Sequence, residues 1–381
     1  MDEELEDKEE ELAKLTEEIS LAYEEMMLLY RTSDNLVSVL APNIVAERII
    51  DDIWKLSPAR DAVLFLREDE GDYLVTQVAK GEAVGPFLKY RQKIGEDIIG
   101  QIVAEGKGRI INQDAHSGFI AGVPWPTRSL VCVPLIIKGK ALGALVLSDK
   151  MPEGGFNSSD LKLALAIASQ AAIFLENANL FQQLKEAYLE AIFMLAVACE
   201  AKDEDTGNHV RRIQRYSQEL ARALSFPEEE AAHIGYSSIL HDVGKIHVPD
   251  QILKKPAGLT PEEWEVMKRH TIDGERILGK KEFFKTARGV ARWHHENYAG
   301  GGYPDGLCGD QIPIGARIVK LADIYDALTT KRCYKDAWPG EKALETLLTM
   351  ADKEIDPRLA ETFVNLWQKG IITEIQEALK G

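Results

Sequence analysis

The sequence predicts a multidomain chain: an N-terminal coiled-coil helix, a mixed α/β domain, and a helical domain rich in histidine. Three observations carry this. Apolar residues recur every seven positions in the first thirty residues. Strand-like runs separated by turn residues fill the stretch from 61 to 148. Seven of the eight histidines fall between His209 and His295. A length of 381 residues makes two or three domains the ordinary expectation, and 45% hydrophobic residues supply sizeable cores.

In the first stretch, Leu5, Leu12, Ile19 and Met26 lie seven apart, and Leu15, Ala22 and Leu29 fill the companion seam, with Lys8 its one polar member. This a/d pattern predicts a parallel coiled coil over residues 1–31 that makes the chain a homodimer. The glutamate-rich flanks repel across a dimer, and a lone amphipathic helix is the alternative. The same stretch holds most of the charge. Sixty-two acids against 45 bases give −17, of which the first thirty residues, with twelve acids and two lysines, supply −10. Such acidity excludes wrapping long nucleic acid or lying on an anionic membrane, but not binding a small anion elsewhere. The longest plain apolar run, Ala191 to Cys199, is far short of the roughly 18 to 20 residues that span a bilayer. The acidic start is unlike a signal peptide. Cys132, Cys199, Cys308 and Cys333 are widely spaced, which fits a reducing compartment. A cytoplasmic protein without a membrane partner is expected.

The middle stretch reads as α/β. Ile44–Trp54 has helical spacing. Asp61–Arg67 and Tyr73–Ala79 read as strands joined by a turn, Ile98–Ala104 as a helix and Gly108–Asn112 as a short strand. Ser129–Ile137 and Ala141–Ser148 read as a hairpin around Lys138-Gly139-Lys140. Ser158, Ser159 and Asp160 can cap a long helix with an apolar stripe through Leu161, Leu165, Ala168, Ala172 and Leu175. No glycine or proline interrupts Leu175 to Lys202, so this helix is expected to run on as a connector, residues 179–200. The segments "IGEDIIGQIVAEGKGRIINQ", "SLVCVPLIIKGKALGALVLSDK" and "FNSSDLKLALAIASQAAIFLENANLF" resemble a GAF domain, covering residues 32–178. That resemblance implies a sensor or relay domain that either binds a small molecule or only transmits strain.

The histidines come with carboxylates. His241-Asp242 lies at the end of an apolar segment. His209 stands four residues after Asp205, on one helical face. His270, the pair His294-His295, and Asp323 follow in segments of helical spacing. Imidazole with carboxylate and no thiolate suits zinc, iron, manganese or nickel. Lys245 follows Asp242 by three residues, and Gly300-Gly301-Gly302-Tyr303-Pro304 is a turn-rich loop that lets backbone approach a ligand.

Together His209, "HDVGK" (241–245), "KPAGLTPEEWEVMKRH" (255–270), "HHE" (294–296), "GYP" (302–304) and "IPIGARIVKLADIYDALTTKRCY" (312–334) resemble the HD-GYP branch of the HD phosphohydrolases, over about 185–360. The resemblance implies an all-α HD-type domain, here 201–381, that hydrolyses cyclic di-GMP to pGpG and on to GMP. It implies two or three divalent metal ions, iron or alternatively manganese. The ligands it implies are His209, His241, Asp242, His270, His294, His295 and Asp323, with Asp205 supplying a third ion. Asp242 and Lys245 are the implied catalytic pair. Lys245, Tyr303, Asp326, Arg332 and Lys335 are the implied substrate contacts, with Asp326 orienting Lys245 or water. The loop "HHENYAGGGYP" departs from the family: Asn297 replaces a basic residue, Ala299 an aspartate and Gly301 a serine or threonine. The alternatives are a hydrolase of another cyclic dinucleotide, such as cyclic GMP–AMP, and a weakly active dinucleotide-binding module.

Overall fold

The computed structural model describes residues 41–68, 71–82, 90–113, 118–123, 125–152, 154–200, 207–331 and 336–380. The heptad stretch 1–31, Asp205, Arg332 and Lys335 lie outside them. The chain divides into two units, Met1–Glu186 and Ala187–Gly381.

The first unit is an antiparallel sheet covered on both faces. Helix α1 (Pro42–Leu56) precedes strands β1 (Ala59–Arg67), β2 (Tyr73–Gly81) and β3 (Arg91–Lys93). Helix α2 (Asp97–Glu105) follows, then β4 (Arg109–Asn112), β5 (Ser129–Ile137) and β6 (Lys140–Lys150). The strand order is β3-β2-β1-β6-β5-β4. The two-residue period of a strand sorts its side chains into two cores. Ala62, Leu64, Val131, Val133, Leu145 and Leu147 face one core, with Ile49, Ile50 and Ala168. Val63, Phe65, Leu130, Cys132, Ala144 and Val146 face the other, with Ile99, Ile102 and Trp125. Because both faces are buried, β5 reads as a nearly unbroken apolar run rather than an alternation. Strand β3, too short and polar to signal itself, is held only by pairing to β2.

Helix α3 (Ser158–Glu200) runs 43 residues. Its start is capped one residue earlier than the sequence suggests. The Asn157 side chain accepts from the Ser159 and Asp160 amides at 2.9 and 3.1 Å, and Asp160 accepts from the Asn157 amide at 2.7 Å. Ala164, Ile167, Ala168, Ala171, Ala172 and Leu175 are buried in the sheet core, whereas Leu165, assigned to that stripe, is exposed. By length and composition α3 is apolar enough to cross a membrane. Plain apolar runs do not show this, since α3 mixes scattered polar residues among many alanines and leucines, and its first turns pack into the sheet core. Beyond Ala178, Leu180, Phe181, Leu184, Met194 and Leu195 are exposed.

The second unit is helical: α4 (Gly207–Ala223), α5 (Glu228–Ser238), α6 (Asp250–Leu253), α7 (Pro261–Lys268), α8 (His270–Leu278) and α9 (Lys285–Trp293), followed by α10 (Ile314–Thr329), α11 (Gly340–Met350), α12 (Pro357–Gln368) and α13 (Ile371–Ala378). Its main core joins α4, α5, α10, α11, α12 and α13 and centres on Tyr216, Tyr325 and Phe363, whose rings meet edge-on at 4.9–5.9 Å. Asp242 does not continue a long helix toward Lys245. α5 stops at Ser238, and a tight 3-10 turn, Val243–His247, carries the lysine instead.

Candidate metal centre

Helix ends deliver the histidines. His209 sits in the first turn of α4, His270 opens α8, and His294-His295 follow the last residue of α9. His241-Asp242 lie in the turn after α5, while Asp323 comes from the middle of α10. Near a helix end a ring can turn back onto the carbonyls of the preceding turn, and three rings do so. Nδ1 of His241 bonds the Ser238 carbonyl at 2.9 Å, that of His270 the Met267 carbonyl at 2.7 Å, and that of His294 the Val290 carbonyl at 3.0 Å. A carbonyl only accepts, so each Nδ1 donates and each Nε2 is turned to the interior. His209 is held differently, with its Nδ1 2.8 Å from the Asp326 carboxylate.

The free nitrogens converge on one carboxylate. Asp242 Oδ1 lies 3.3 Å from His270 Nε2 and 3.6 Å from His294 Nε2, and its Oδ2 lies 3.2 Å from His241 Nε2. His241 Nε2, His270 Nε2, His294 Nε2 and Asp242 Oδ1 are all buried and have no hydrogen-bond partner. Such orphaned groups cost free energy unless something else satisfies them. Among the described residues, three donor groups, each with its ligand atoms within 4.8 Å of one another, can hold a cation: Asp242–His270–His294–His295, His209–His241–Asp323, and Glu200–His241–Asp242. The residues present therefore fit divalent cations.

The electrostatics agree. Burial pushes the His270 pKa down to about 4, against Asp242, and drives His295 well below its ordinary value with help from His294 and His270. Both rings stay neutral with a lone pair free. Burial opposes charge on His241 too, yet the adjoining Asp242 outweighs it and raises the ring to about 10. Despite its burial, Asp242 is held well below the carboxylate range by Lys245 and His241. A site that draws protons onto one ring and keeps its carboxylate ionised is one that attracts positive charge.

Lys245 Nζ lies 2.8 Å from Asp242 Oδ2. Tyr303 stacks on His295 with ring centroids 4.7 Å apart, and the Lys268 ammonium lies 6.0 Å from the Tyr303 ring centre. Asp326 is elsewhere than expected. It is 1% exposed, and its two oxygens are taken by His209 and by Arg212 at 2.6 and 2.9 Å, so it neither faces substrate nor orients Lys245. One turn from Asp323 on α10, it points inward to the α4 face, and its role is to hold His209.

Sequence reading missed three residues. Glu200, 4% exposed, looked like one acid in the run "EAKDED". Arg212 hid among the arginines of α4. Lys320, the lone charge in "IVKLA", was a signal that could have been used. Its ammonium donates to the Glu296 carbonyl at 2.7 Å and to Asn297 Oδ1 at 2.6 Å. Asn297, in the position where a basic residue was expected, thereby accepts from a lysine that a basic side chain would repel. Glu296 Oε1 accepts from the amides of Asp305 and Gly306 at 2.7 and 3.0 Å, and Arg292 grips Asp305. The triple-glycine loop is thus tied on both sides.

Residues 40–176 match the GAF domain family and residues 194–359 the HD domain family. The chain is 40% identical over 214 residues to the 3'3'-cGAMP-specific phosphodiesterase 2 of Vibrio cholerae, covering 56% of this chain and 41% of that protein. It is 39% identical over 199 residues to the cyclic di-GMP phosphodiesterase response regulator RpfG of Xanthomonas campestris, covering 51% and 53%. It is 36% identical over 188 residues to a cyclic di-GMP phosphodiesterase of Thermotoga maritima, covering 49% and 51%. The chain spans about half the length of the curated relatives it matches.

Proposed function

The chain carries a GAF domain followed by an HD domain, and from that premise we propose a cytoplasmic sensor-enzyme whose HD domain is a metal-dependent phosphodiesterase of the HD-GYP type. Its substrate is cyclic di-GMP, hydrolysed to pGpG and on to GMP. The observation that carries the reading is the convergence of buried, unpartnered imidazole nitrogens on the Asp242 carboxylate inside an HD domain. His270, His294, His295 and Asp242 would hold one divalent ion, and His209, His241 and Asp323 a second, with the Asp242 carboxylate also close to His241. Iron suits this set of imidazoles and carboxylates without thiolate, and manganese is the alternative. Bound ions of this kind supply an acidified water and a clamp on the phosphoryl oxygens of an in-line displacement.

The chain's own residues do the rest. Lys245, anchored on Asp242, holds a proton where the leaving oxygen departs. Tyr303, stacked on His295, offers a ring face and a hydroxyl to the nucleotide at the rim. Arg332 and Lys335 are assigned to the second phosphate on the family pattern alone. Asp205 is assigned to a third ion on the same basis. The domains are taken as 1–31, a dimerising coiled coil; 32–178, the GAF sensor; 179–200, a connecting helix; and 201–381, the phosphodiesterase. The exposed Leu180, Phe181, Leu184 and Leu195 support a homodimer that continues along α3.

A second reading, a phosphodiesterase for 3'3'-cGAMP, is favoured by the 40% identity to the enzyme specific for that dinucleotide. One assay separates them. Anaerobically purified, iron- or manganese-loaded protein is incubated with each cyclic dinucleotide and the products are followed by chromatography. Linear pGpG and GMP from cyclic di-GMP are expected. Product from the mixed-base substrate alone selects the second reading, and binding without product sinks both.

A further inference from the structure

We propose that Trp264 is a stacking platform for a purine base of the dinucleotide, a subsite at the rim of the histidine cluster. This rests on the phosphodiesterase reading above and deepens it. An indole is large and mostly apolar, so tryptophan is highly buried on average. Trp264 is 46% exposed. The helix that carries it adds nothing to a core, since no residue of α7 is fully buried. That helix is nevertheless fixed. Thr260 and Glu263 form a complete capping box, with the Glu263 carboxylate accepting from the Thr260 amide at 2.8 Å and Thr260 Oγ1 from the Glu263 amide at 3.3 Å. Lys255 pairs with Glu263, and Pro261 presets the first turn. Ordering a helix that buries nothing is costly, which directs attention to the side chains it presents.

Trp264 is presented toward the site. Its ring lies edge-on to Tyr303, with centroids 6.2 Å apart and planes at 77°. Tyr303 in turn stacks on His295, with planes at 24°. The aromatic series therefore runs outward from the His295 ring to Tyr303 and then to Trp264. An edge-on neighbour covers at most one face of an indole, and nearly half of the Trp264 surface reaches solvent. Lys268, in the last turn of the same helix, sets an ammonium beside Tyr303, where a nucleotide phosphate would meet it. Every base has a π-face, and stacking on an aromatic side chain tolerates a change of base. Trp264 therefore holds guanine and adenine alike and does not choose between cyclic di-GMP and 3'3'-cGAMP. The rival role is an anchor for another protein, which an exposed tryptophan also suits. The two differ in whether a free nucleotide feels the ring.

Manganese-loaded full-length parent, Trp264→Phe and Trp264→Ala are titrated calorimetrically with GMP and, separately, with inorganic phosphate. Hydrolysis of both cyclic dinucleotides is followed in parallel. Trp264→Ala is expected to weaken GMP about fivefold or more, the size of one base–aromatic stack, and to leave phosphate binding unchanged. The loss in hydrolysis should fall on KM rather than kcat, for both dinucleotides, with manganese per chain the same as in the parent. Trp264→Phe, which keeps a ring, should retain more GMP affinity than Trp264→Ala. Parent-like GMP affinity in Trp264→Ala overturns the proposal, as does a parent that binds GMP no more tightly than phosphate. Equal weakening of GMP and phosphate also overturns it, because the damage is then to the ion cluster. So does a rise in KM confined to one dinucleotide, since a stacking face does not read base edges. A parent that hydrolyses neither dinucleotide removes the proposed function, while the comparison of GMP with phosphate still decides Trp264.

Discussion

Asp326 and Arg212 illustrate how the site is held from behind. The pair is buried at 2.6 Å and supports His209 through its other nitrogen. Residues behind a metal-binding imidazole fix its tautomer and direction, and losing one typically costs 10–100-fold in metal affinity. Asp326→Ala also takes away the carboxylate paired with the buried Arg212, which costs stability, up to about 3–5 kcal/mol. We expect both effects, read by metal titration and by chemical denaturation. Unchanged metal affinity would mean His209 needs no support. His241→Ala removes the imidazole nitrogen 3.2 Å from Asp242 Oδ2 and should abolish hydrolysis with loss of bound metal by elemental analysis. Full activity there would discard the metal mechanism.

At the level of elements, the site depends on how closely a turn can approach a helix. A Cβ on Gly244 would lie 1.9 Å from the His270 carbonyl oxygen and 2.5 Å from the Gly274 amide. This contact sets the 3-10 turn, and so Asp242 and Lys245, against the start of α8, where His270 stands. Gly244→Ala should destabilise the domain by about 3 kcal/mol, at the upper end of overpacking costs, and lower metal affinity with it. A melting temperature equal to the parent's would refute this. Farther away, Asp356 caps α12 by accepting from the Arg358 amide at 3.0 Å and pairs with Arg317 at 2.7 Å. Burial opposes its ionisation, but Arg358 and Arg317 outweigh that and hold the carboxyl below 3.8. A depressed folded value adds stability that is whole above the unfolded value and is lost as pH falls through the folded one. Asp356→Asn should therefore lose less stability than the parent between about pH 5 and about pH 3. Denaturant melts at both values test it.

For the whole molecule, the continuity of α3 is the central fact. Its first turns are core to the α/β unit, and its last residue brings a carboxylate to the histidine cluster. Between them Leu184 and Leu195 are 67% and 66% exposed, more than an isolated helix face needs. Leu184→Glu combined with removal of residues 1–31 should weaken self-association at least tenfold in sedimentation equilibrium, without lowering metal content. A full-length chain that is monomeric at all concentrations would exclude the dimer.

Much of this was readable in the sequence because it depends on local pattern. Apolar runs bounded by turn residues placed β1, β5 and β6, uninterrupted helix formers placed α3, and the order of HD, HHE and GYP segments marked His209, His241, Asp242, His270, His294, His295 and Asp323 as candidates. Long-range packing decided the remainder. Asp323 and Asp326 lie one turn apart with similar sequence signals, yet only their angle about α10 puts one at the histidines and the other under His209 against Arg212. Glu200 has the composition of a solvated acid, and Lys320 that of a surface lysine. Each was revealed only when neighbours distant in sequence removed it from water. A sequence states which groups can ionise or ligate, whereas desolvation and the identity of the opposing group, which fix their roles, exist only in the folded chain.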